Sequence, residues 1–461
     1  MIDLTLFLIA CGAAIFLIKL VCIFFVRPDF GFYLIVLSSI SQKPAVSFAV
    51  GSRFIQVRPV DILTILLAVA LILRIVRGKN RFSIPPGFGL FVAFFVATSI
   101  SLLWSKESLA GIISYGRRLI LFVMAIATYQ VVMLAKCLRA GLRLLYGVAF
   151  VTVFFTGVQI VANIADGLSF FRPSGYIFYE AVYLALFCVP VILLLIWHPD
   201  SGKLLKPLTR LALIILLFIA LLLSLSRISW YVFAICLILG FSSASHRSVA
   251  FVRRYLPLCG YFVALMIIGI VGRIYYGITD PILERVALLT DLGDIRWTLM
   301  RAQIASFLES PVLGVGMGST HIILVEAVPD WSNVFTKAVG GYNIVTGLLA
   351  ESGLLGFAMF VAILGQMWHL VCQLKFRGDH EGFLGASTLY LCLLSTVLWS
   401  LFQPPVINNP WFWLFVSLTW ASISSMSKSP RQVTFSIFNN LKTMPVYSAG
   451  RLVKESLKKW P

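Results

Sequence analysis

Residues 176–197 read YIFYEAVYLALFCVPVILLLIW. Beyond Glu180 the stretch carries no charge, and as a helix it is long enough to cross the roughly 30 Å hydrocarbon core of a bilayer. Comparable runs lie near 4–26, 31–50, 60–76, 87–104, 118–134, 141–164, 209–224, 229–245, 255–276, 344–373, 384–402 and 411–426. The pattern predicts an all-α integral membrane protein of about 12 transmembrane helices. The count is 12 or 13 because Ser-Gln-Lys-Pro at 41–44 interrupts the run at 31–50, which reads either as a span or as a short or re-entrant helix.

The composition agrees. Of 461 residues, 60% are hydrophobic and 12% charged, and the mean hydropathy is +0.97. The charged share is about half that of a soluble domain. An ordinary soluble enzyme, a disordered chain and a nucleic-acid-binding module are excluded. The formal charge of +19 would be a nucleic-acid footprint in a soluble protein. In a membrane protein it reports which side the loops face. The eight cysteines fall in or beside apolar runs at no metal-like spacing, so neither a disulfide framework nor a metal site is expected. The first run, Leu4 to Val26, lacks a basic start and a small-residue cleavage site and reads as a retained span.

Four regions follow: an N-terminal bundle of about ten spans over 1–276, a long loop over 277–343, C-terminal transmembrane helices over 344–426, and a basic tail over 427–461. The tail carries Lys428, Arg431, Lys442, Arg451, Lys454, Lys458 and Lys459 against one acid, Glu455, which predicts a cytoplasmic C-terminus. Alternation from there places the basic segments 74–86, 135–143, 198–210, 246–254 and 374–383 on the same side. It places the long loop, which is rich in Asp and Glu, on the other. Nearly all of the positive excess therefore records topology. Within the long loop, 294–309 reads as an amphipathic helix with Ile295, Leu299, Ala302 and Phe307 on its packed face, ended by Pro311. Gly314, Gly316 and Gly318 follow. No strand precedes them and no Lys-Ser/Thr follows, so they read as a turn packed on the bundle rather than a phosphate cradle.

A few arginines remain on the outer side, where positive-inside patterning disfavours them: Arg172, Arg227, Arg296 and Arg301. A guanidinium is always charged and presents a planar fork of donors that suits phosphate. Arg227 sits in a tight apolar hairpin, where a charge is costly without a purpose. Arg117 and Arg118, in an amphipathic stretch, read as snorkelling to headgroups. Glu180, an acid near the outer end of a span, has two readings: a general base for a hydroxyl, or an ion-pair partner for Arg172. Glu351 reads as structural, packing a helix or pairing with an arginine. His321 is the one histidine placed outside, and a lone loop histidine reads as solvated.

Four segments in this order carry a resemblance: Arg172-Pro-Ser-Gly175 with Phe178-Tyr-Glu180; Ser224-Leu-Ser-Arg-Ile-Ser-Trp230; Arg296 to Gly318, with Ser310-Pro-Val-Leu-Gly-Val-Gly316; and Tyr342-Asn343 followed by Leu349-Ala-Glu-Ser-Gly-Leu-Leu-Gly356. The chain resembles the O-antigen ligase and O-antigen polymerase superfamily over roughly residues 170–360. The resemblance implies a metal-independent, cofactor-free membrane glycosyltransferase of the lipid-donor (GT-C-like) architecture in a bacterial inner membrane, with a periplasmic active site in and beside the long loop. Its partners would be an undecaprenyl-pyrophosphate-linked glycan donor and acceptor, membrane lipid and a chain-length regulator. Arg172, Arg227, Arg296 and Arg301 would bind diphosphate or glycan, Glu180 would be the base, and Tyr342 and Asn343 would line the site. Family ligases carry His where this chain has Tyr342, and the Arg172 to Glu180 pattern looks more like the polymerase and exopolysaccharide branch. A polymerase is therefore expected, with a ligase acting on lipid A core as the alternative. The reading from another class is a transporter or flippase of lipid-linked sugar. Charges gathered at one rim, with no internal repeat, weigh against it.

Overall fold

The structure, a computed structural model, describes residues 4–40, 44–50, 53–78, 80–165, 181–224, 226–242, 249–250, 252–253, 295–320, 322–323, 343–401, 403 and 406–426. The expected span at 255–276, the loop between it and Ile295 and the basic tail lie outside these residues.

The helices are α1 (Leu4–Val26), α2 (Pro28–Ile40), α3 (Pro59–Val76), α4 (Phe88–Ile100), α5 (Ser108–Ala135), α6 (Leu138–Ala165), α7 (Ala181–Trp197), the short α8 (Ser201–Leu204), α9 (Pro207–Leu223), α10 (Arg227–Ser242), α11 (Ile295–Glu309), α12 (Ile344–Phe376), α13 (His380–Trp399) and α14 (Pro410–Met426). Most expected runs return as helices within a few residues. Five helices are long and apolar enough to cross a membrane, and α1 with α2 make a sixth candidate bent by 119°; four shorter apolar helices accompany them. That is a multi-pass helical protein, with fewer full-length spans among the described residues than the 12 or 13 expected from the sequence.

The run at 31–50 is not a span. Its first part belongs to α2. Its last part is β1 (Val46–Val50), paired antiparallel with β2 (Arg53–Val57) in the register Val46↔Val57 to Val50↔Arg53. Two five-residue runs rich in Val, Ile and Phe, separated by the two residues Gly51-Ser52, favour a hairpin over a helix. The all-α expectation therefore holds for the bundle but not for this two-stranded ribbon.

The core is built around α7. From Leu184 to His198 every residue is buried, consistent with a helix apolar on all faces. It packs against α9, α10 and α13. A second cluster joins α4, α5 and α14 through rings: Phe91 meets Trp420 edge-on at 4.7 Å, and Phe95 stacks on Phe122 at 4.7 Å. On the outside, Phe154, Val161, Ile238 and Val76 stand exposed, an apolar surface suited to lipid rather than water.

The two ends of the bundle differ. At one end, Arg139 pairs with Asp200 at 3.1 Å, and Lys203 reaches Asp200 at 3.5 Å and Glu381 at 3.7 Å. The basic segments 135–143, 198–210 and 374–383, assigned to one side by charge, thus meet at one end. There the Arg210 guanidinium donates to the carbonyls of Leu195 and Ile196, satisfying the last turn of α7. Beside it His198 is buried, its Nδ1 accepting from the Asp200 N–H at 3.2 Å.

Burial holds the His198 imidazole down to about 4, from 6.5. The folded state binds the proton less well than the unfolded chain. The stability this neutral His permits is complete above 6.5 and is lost as pH falls toward 4. The loss amounts to about 3 kcal/mol at most. Melting of the detergent-solubilised protein between pH 7 and pH 4 should fall steeply, and His198→Gln should flatten that slope. An unchanged slope in the variant would show that other groups control it.

Candidate active site

At the other end, three elements converge on one carboxylate. Glu351 lies in the second turn of α12 and is almost fully buried. Its Oε2 accepts from Nη2 of Arg118 at 2.8 Å, with both side chains no more than 3% exposed. Its Oε1 accepts from the Thr320 hydroxyl at 2.9 Å and the Gly318 N–H at 3.4 Å. Arg118, on α5, also donates through Nε to Asn408 Oδ1 at 3.2 Å. The pair therefore joins α5, α12, the loop after α11 and the turn before α14. Glu351 is the arginine-pairing residue expected from the sequence. The expectation for Arg118 is overturned: it does not snorkel but is buried in this pair.

The loop 310–320 is threaded between α12 and the segment leading into α5. At Gly353, α12 breaks, with φ 63° and ψ −164°. In an unbroken helix the Leu354 N–H would bond the Ala350 carbonyl. Here the loop takes both groups: Leu354 N–H donates to the Pro311 carbonyl at 2.8 Å, and Ala350 accepts from the Val315 N–H at 2.7 Å. Only glycine suits that backbone conformation, and a Cβ on Gly353 would lie 2.3 Å from the Val312 oxygen. From the other side Trp104 Nε1 donates to the Gly314 carbonyl at 3.0 Å, and Ser105 Oγ donates to the Met317 carbonyl at 2.6 Å. Gly314, Gly316 and Gly318 all have positive φ and lie backbone to backbone against these neighbours. The glycine-rich stretch is the packed turn expected.

α11 lies against α12. Its buried stripe is Leu299, Gln303 and Ser306, with the Thr346 hydroxyl donating to Gln303 Oε1 at 2.5 Å. Leu299 was expected on that face. Ala302 and Phe307 are only half-buried, and two polar side chains take the place an apolar stripe was expected to fill. Asn343 caps α12: its Oδ1 accepts from the N–H groups of Val345 at 2.7 Å and Thr346 at 3.1 Å, and its Nδ2 donates to the Leu401 carbonyl. Arg301 is exposed on α11. Arg296 lies on α11 and Arg227 opens α10, their side chains outside the described residues. Arg172, Glu180, Tyr342 and His321 also lie outside them.

Sequence reasoning passed over a second polar group at this end. Asp61, in the first turn of α3, is buried and accepts from the Arg58 N–H at 2.8 Å. Arg58 and Arg117 act electrostatically on each other, and each on Asp61 and Tyr183. Arg117 therefore points into the bundle, which overturns the snorkelling expectation for it too. Burial, with the Arg117 charge adding, pulls the Arg58 guanidinium below its ordinary value. The usable signal was Asp61 itself, an acid inside an apolar run.

Residues 212–361 match the O-antigen ligase family model. The match supports the O-antigen ligase and polymerase superfamily for this chain. It takes in α10, α11, the loop 310–320 and the Gly353 break. Three of the four segments that carry the resemblance thus fall inside the family's region, while Arg172 to Glu180 precedes it. No curated protein matches the chain significantly.

Removing one member of the Arg118–Glu351 pair should leave an uncompensated buried charge, costing about 3–5 kcal/mol. Glu351→Ala should therefore lower the melting temperature in detergent and open the loop 310–320 to limited proteolysis. Gly353→Ala should do the same, at about 2–5 kcal/mol. Wild-type protease resistance in either variant would show that the pair and the break do not hold the loop.

Proposed function

We propose that the chain is a membrane glycosyltransferase that joins lipid-diphosphate-linked oligosaccharide repeat units into a longer polysaccharide. The observation that carries this reading is the family match over 212–361. Within it, hydrogen bonds draw the loop 310–320 and the start of α12 into one assembly at the end of the bundle opposite the basic loops. In the reaction proposed, an acceptor hydroxyl attacks the anomeric carbon of the donor glycan as the carbon–oxygen bond to the diphosphate breaks. Arg172, Arg227, Arg296 and Arg301 would neutralise the charge on the departing diphosphate, and Glu180 would take the acceptor proton. Asn343 enters as the cap that fixes the start of α12 beside Tyr342. The reaction places the site on the outer face of a bacterial inner membrane, where undecaprenyl-pyrophosphate-linked units are presented, with the basic loops and tail in the cytoplasm. A chain-length regulator is the partner proposed.

Tyr342, where ligases carry His, favours polymerase. A ligase is the second reading, and the family's own description favours it.

The decisive measurement is the lipid-linked glycan that accumulates in cells lacking the chain. Single repeat units support the polymerase reading, full-length polymer on the lipid supports the ligase, and units left on the cytoplasmic leaflet point to a flippase and overturn glycosyl transfer. Arg227→Ala should abolish long-chain product at normal protein level, about a 100-fold loss or more if the guanidinium stabilises the leaving diphosphate. Unchanged yield and chain length would remove Arg227 from the site. Near-normal turnover in Glu180→Gln would move the base to Tyr342 or His321.

A further inference from the structure

Six buried polar atoms on two short stretches of α3 and α5 find no hydrogen-bond partner among the described residues: Asp61 Oδ1, Thr64 Oγ1, Ser114 Oγ, Arg117 Nε and Nη2, and Arg118 Nη1. Asp61 and Thr64 are one helical turn apart on α3, and Ser114, Arg117 and Arg118 share one face of α5. The two helices pack on each other. Buried polar groups are nearly always paired, and the requirement is stricter inside a membrane. A concentration of unmatched groups at one seam therefore has a purpose to be found.

The chemistry of these atoms narrows what fits. A carboxylate only accepts and a guanidinium only donates. Asp61 Oδ1 and the Arg117 nitrogens lie within electrostatic range of each other, yet these atoms make no hydrogen bond. A group seated between them must give a hydrogen to the carboxylate and take one from the guanidinium. A hydroxyl does both. The diphosphate of a lipid-linked donor is esterified at both ends and has no hydrogen to give, and the Asp61 charge would repel it. The Ser114 and Thr64 hydroxyls add donor–acceptor groups. Tyr183 acts electrostatically on both Arg58 and Arg117, and its ring stands 6.2 Å from that of Trp399, which brings aromatic side chains to the same neighbourhood. A few convergent polar groups beside an aromatic face is the make-up of a small-ligand subsite.

We propose that Asp61 and Arg117, with Arg58, Ser114 and Tyr183 around them, form a saccharide seat that holds a sugar ring by its hydroxyls, separate from the arginines assigned to the diphosphate. The seat rests on the glycosyl-transfer reading and names where the glycan, rather than its lipid carrier, is gripped. Tyr183 lies three residues after Glu180, the residue proposed as the base, in the chain.

The test uses the full chain in lipid nanodiscs and two probes: the oligosaccharide released by mild acid from the producing strain's own lipid-linked repeat unit, and inorganic pyrophosphate. Titration calorimetry should show saturable saccharide binding to the wild type. Asp61→Asn, which keeps the shape and removes the charge, should weaken it about tenfold, the effect of one charge-assisted hydrogen bond. Arg117→Gln should do likewise, and pyrophosphate binding should change little in either. Unaltered saccharide binding in Asp61→Asn, or no saccharide binding by the wild type, overturns the seat. So does loss of pyrophosphate binding alone, which would make this a phosphate site. Should Arg117→Gln fail to fold, Ser114→Ala with Asp61→Asn carries the test, each checked by its melting temperature. Failure here is distinguishable from failure of the parent reading. A strain lacking the chain that still makes normal polymer overturns glycosyl transfer, whereas a binding failure with polymer lost removes only the seat.

Discussion

One end of the bundle depends on one buried carboxylate. Glu351 sits where α5, α12 and the loop 310–320 meet, and both of its oxygens are used, one by Arg118 and the other by Thr320 and Gly318. Taking two charges out of water costs several kcal/mol per ion, and their attraction repays this only with good geometry and saturated hydrogen bonding. Here the geometry is good and most of the hydrogen bonding is made. The pair therefore adds little net stability over an apolar substitute. It fixes position instead. In this seat both oxygens are satisfied, and moving the loop away would strip one of them of its partners.

The Gly353 break works with that pair. A continuous helix would keep its own hydrogen-bond ladder and leave the loop to find partners elsewhere. By giving up one internal bond, α12 offers a free carbonyl at Ala350 and a free N–H at Leu354, and the loop supplies the complements. Each released group finds a partner on the loop, the Leu355 N–H also donates to the Val312 carbonyl at 3.2 Å, and the exchange ties a long connection to the rigid part of the fold. Precise placement of reacting groups by a loop requires anchoring of this kind. A break ten residues after the Asn343 cap also leaves the first turns of α12 packed against α11 rather than continuing a straight span.

The helices were legible because each needs only a local property, an apolar run of sufficient length, which a chain displays without reference to its neighbours. The hairpin at 46–57 was not, because its strands continue the apolar run of α2 and hydrophobicity alone cannot distinguish a strand from the end of a span. The turn at Gly314 to Gly318 and the pairing role of Glu351 were legible, since a glycine cluster and an acid inside a helix each admit few explanations. Arg117 and Arg118 were misread for the opposite reason. An arginine near a span end is equally at home turned outward to headgroups or inward to a partner, and the choice is made by Glu351 and Asp61, more than 230 and more than 50 residues away in the chain. Contacts at that separation leave no local trace.

Glu351 and Asp61 also mark the difference between a polar group that holds a fold together and one that is kept for something else. Both are buried acids near the same end of the bundle, and both lie beside an arginine of α5. The desolvation cost of the two is similar in kind. At Glu351 both carboxylate oxygens are spoken for, so no ligand could gain by approaching it. At Asp61 one oxygen faces inward without a partner while the donors of Arg117 stand near it unbonded. A fold that needed only rigidity would have closed that gap with a direct ion pair, as it did on the neighbouring residue of the same helix. The shared surroundings make composition and burial poor guides to which acid matters for binding. What separates the two is whether the hydrogen-bonding capacity of the site is already exhausted.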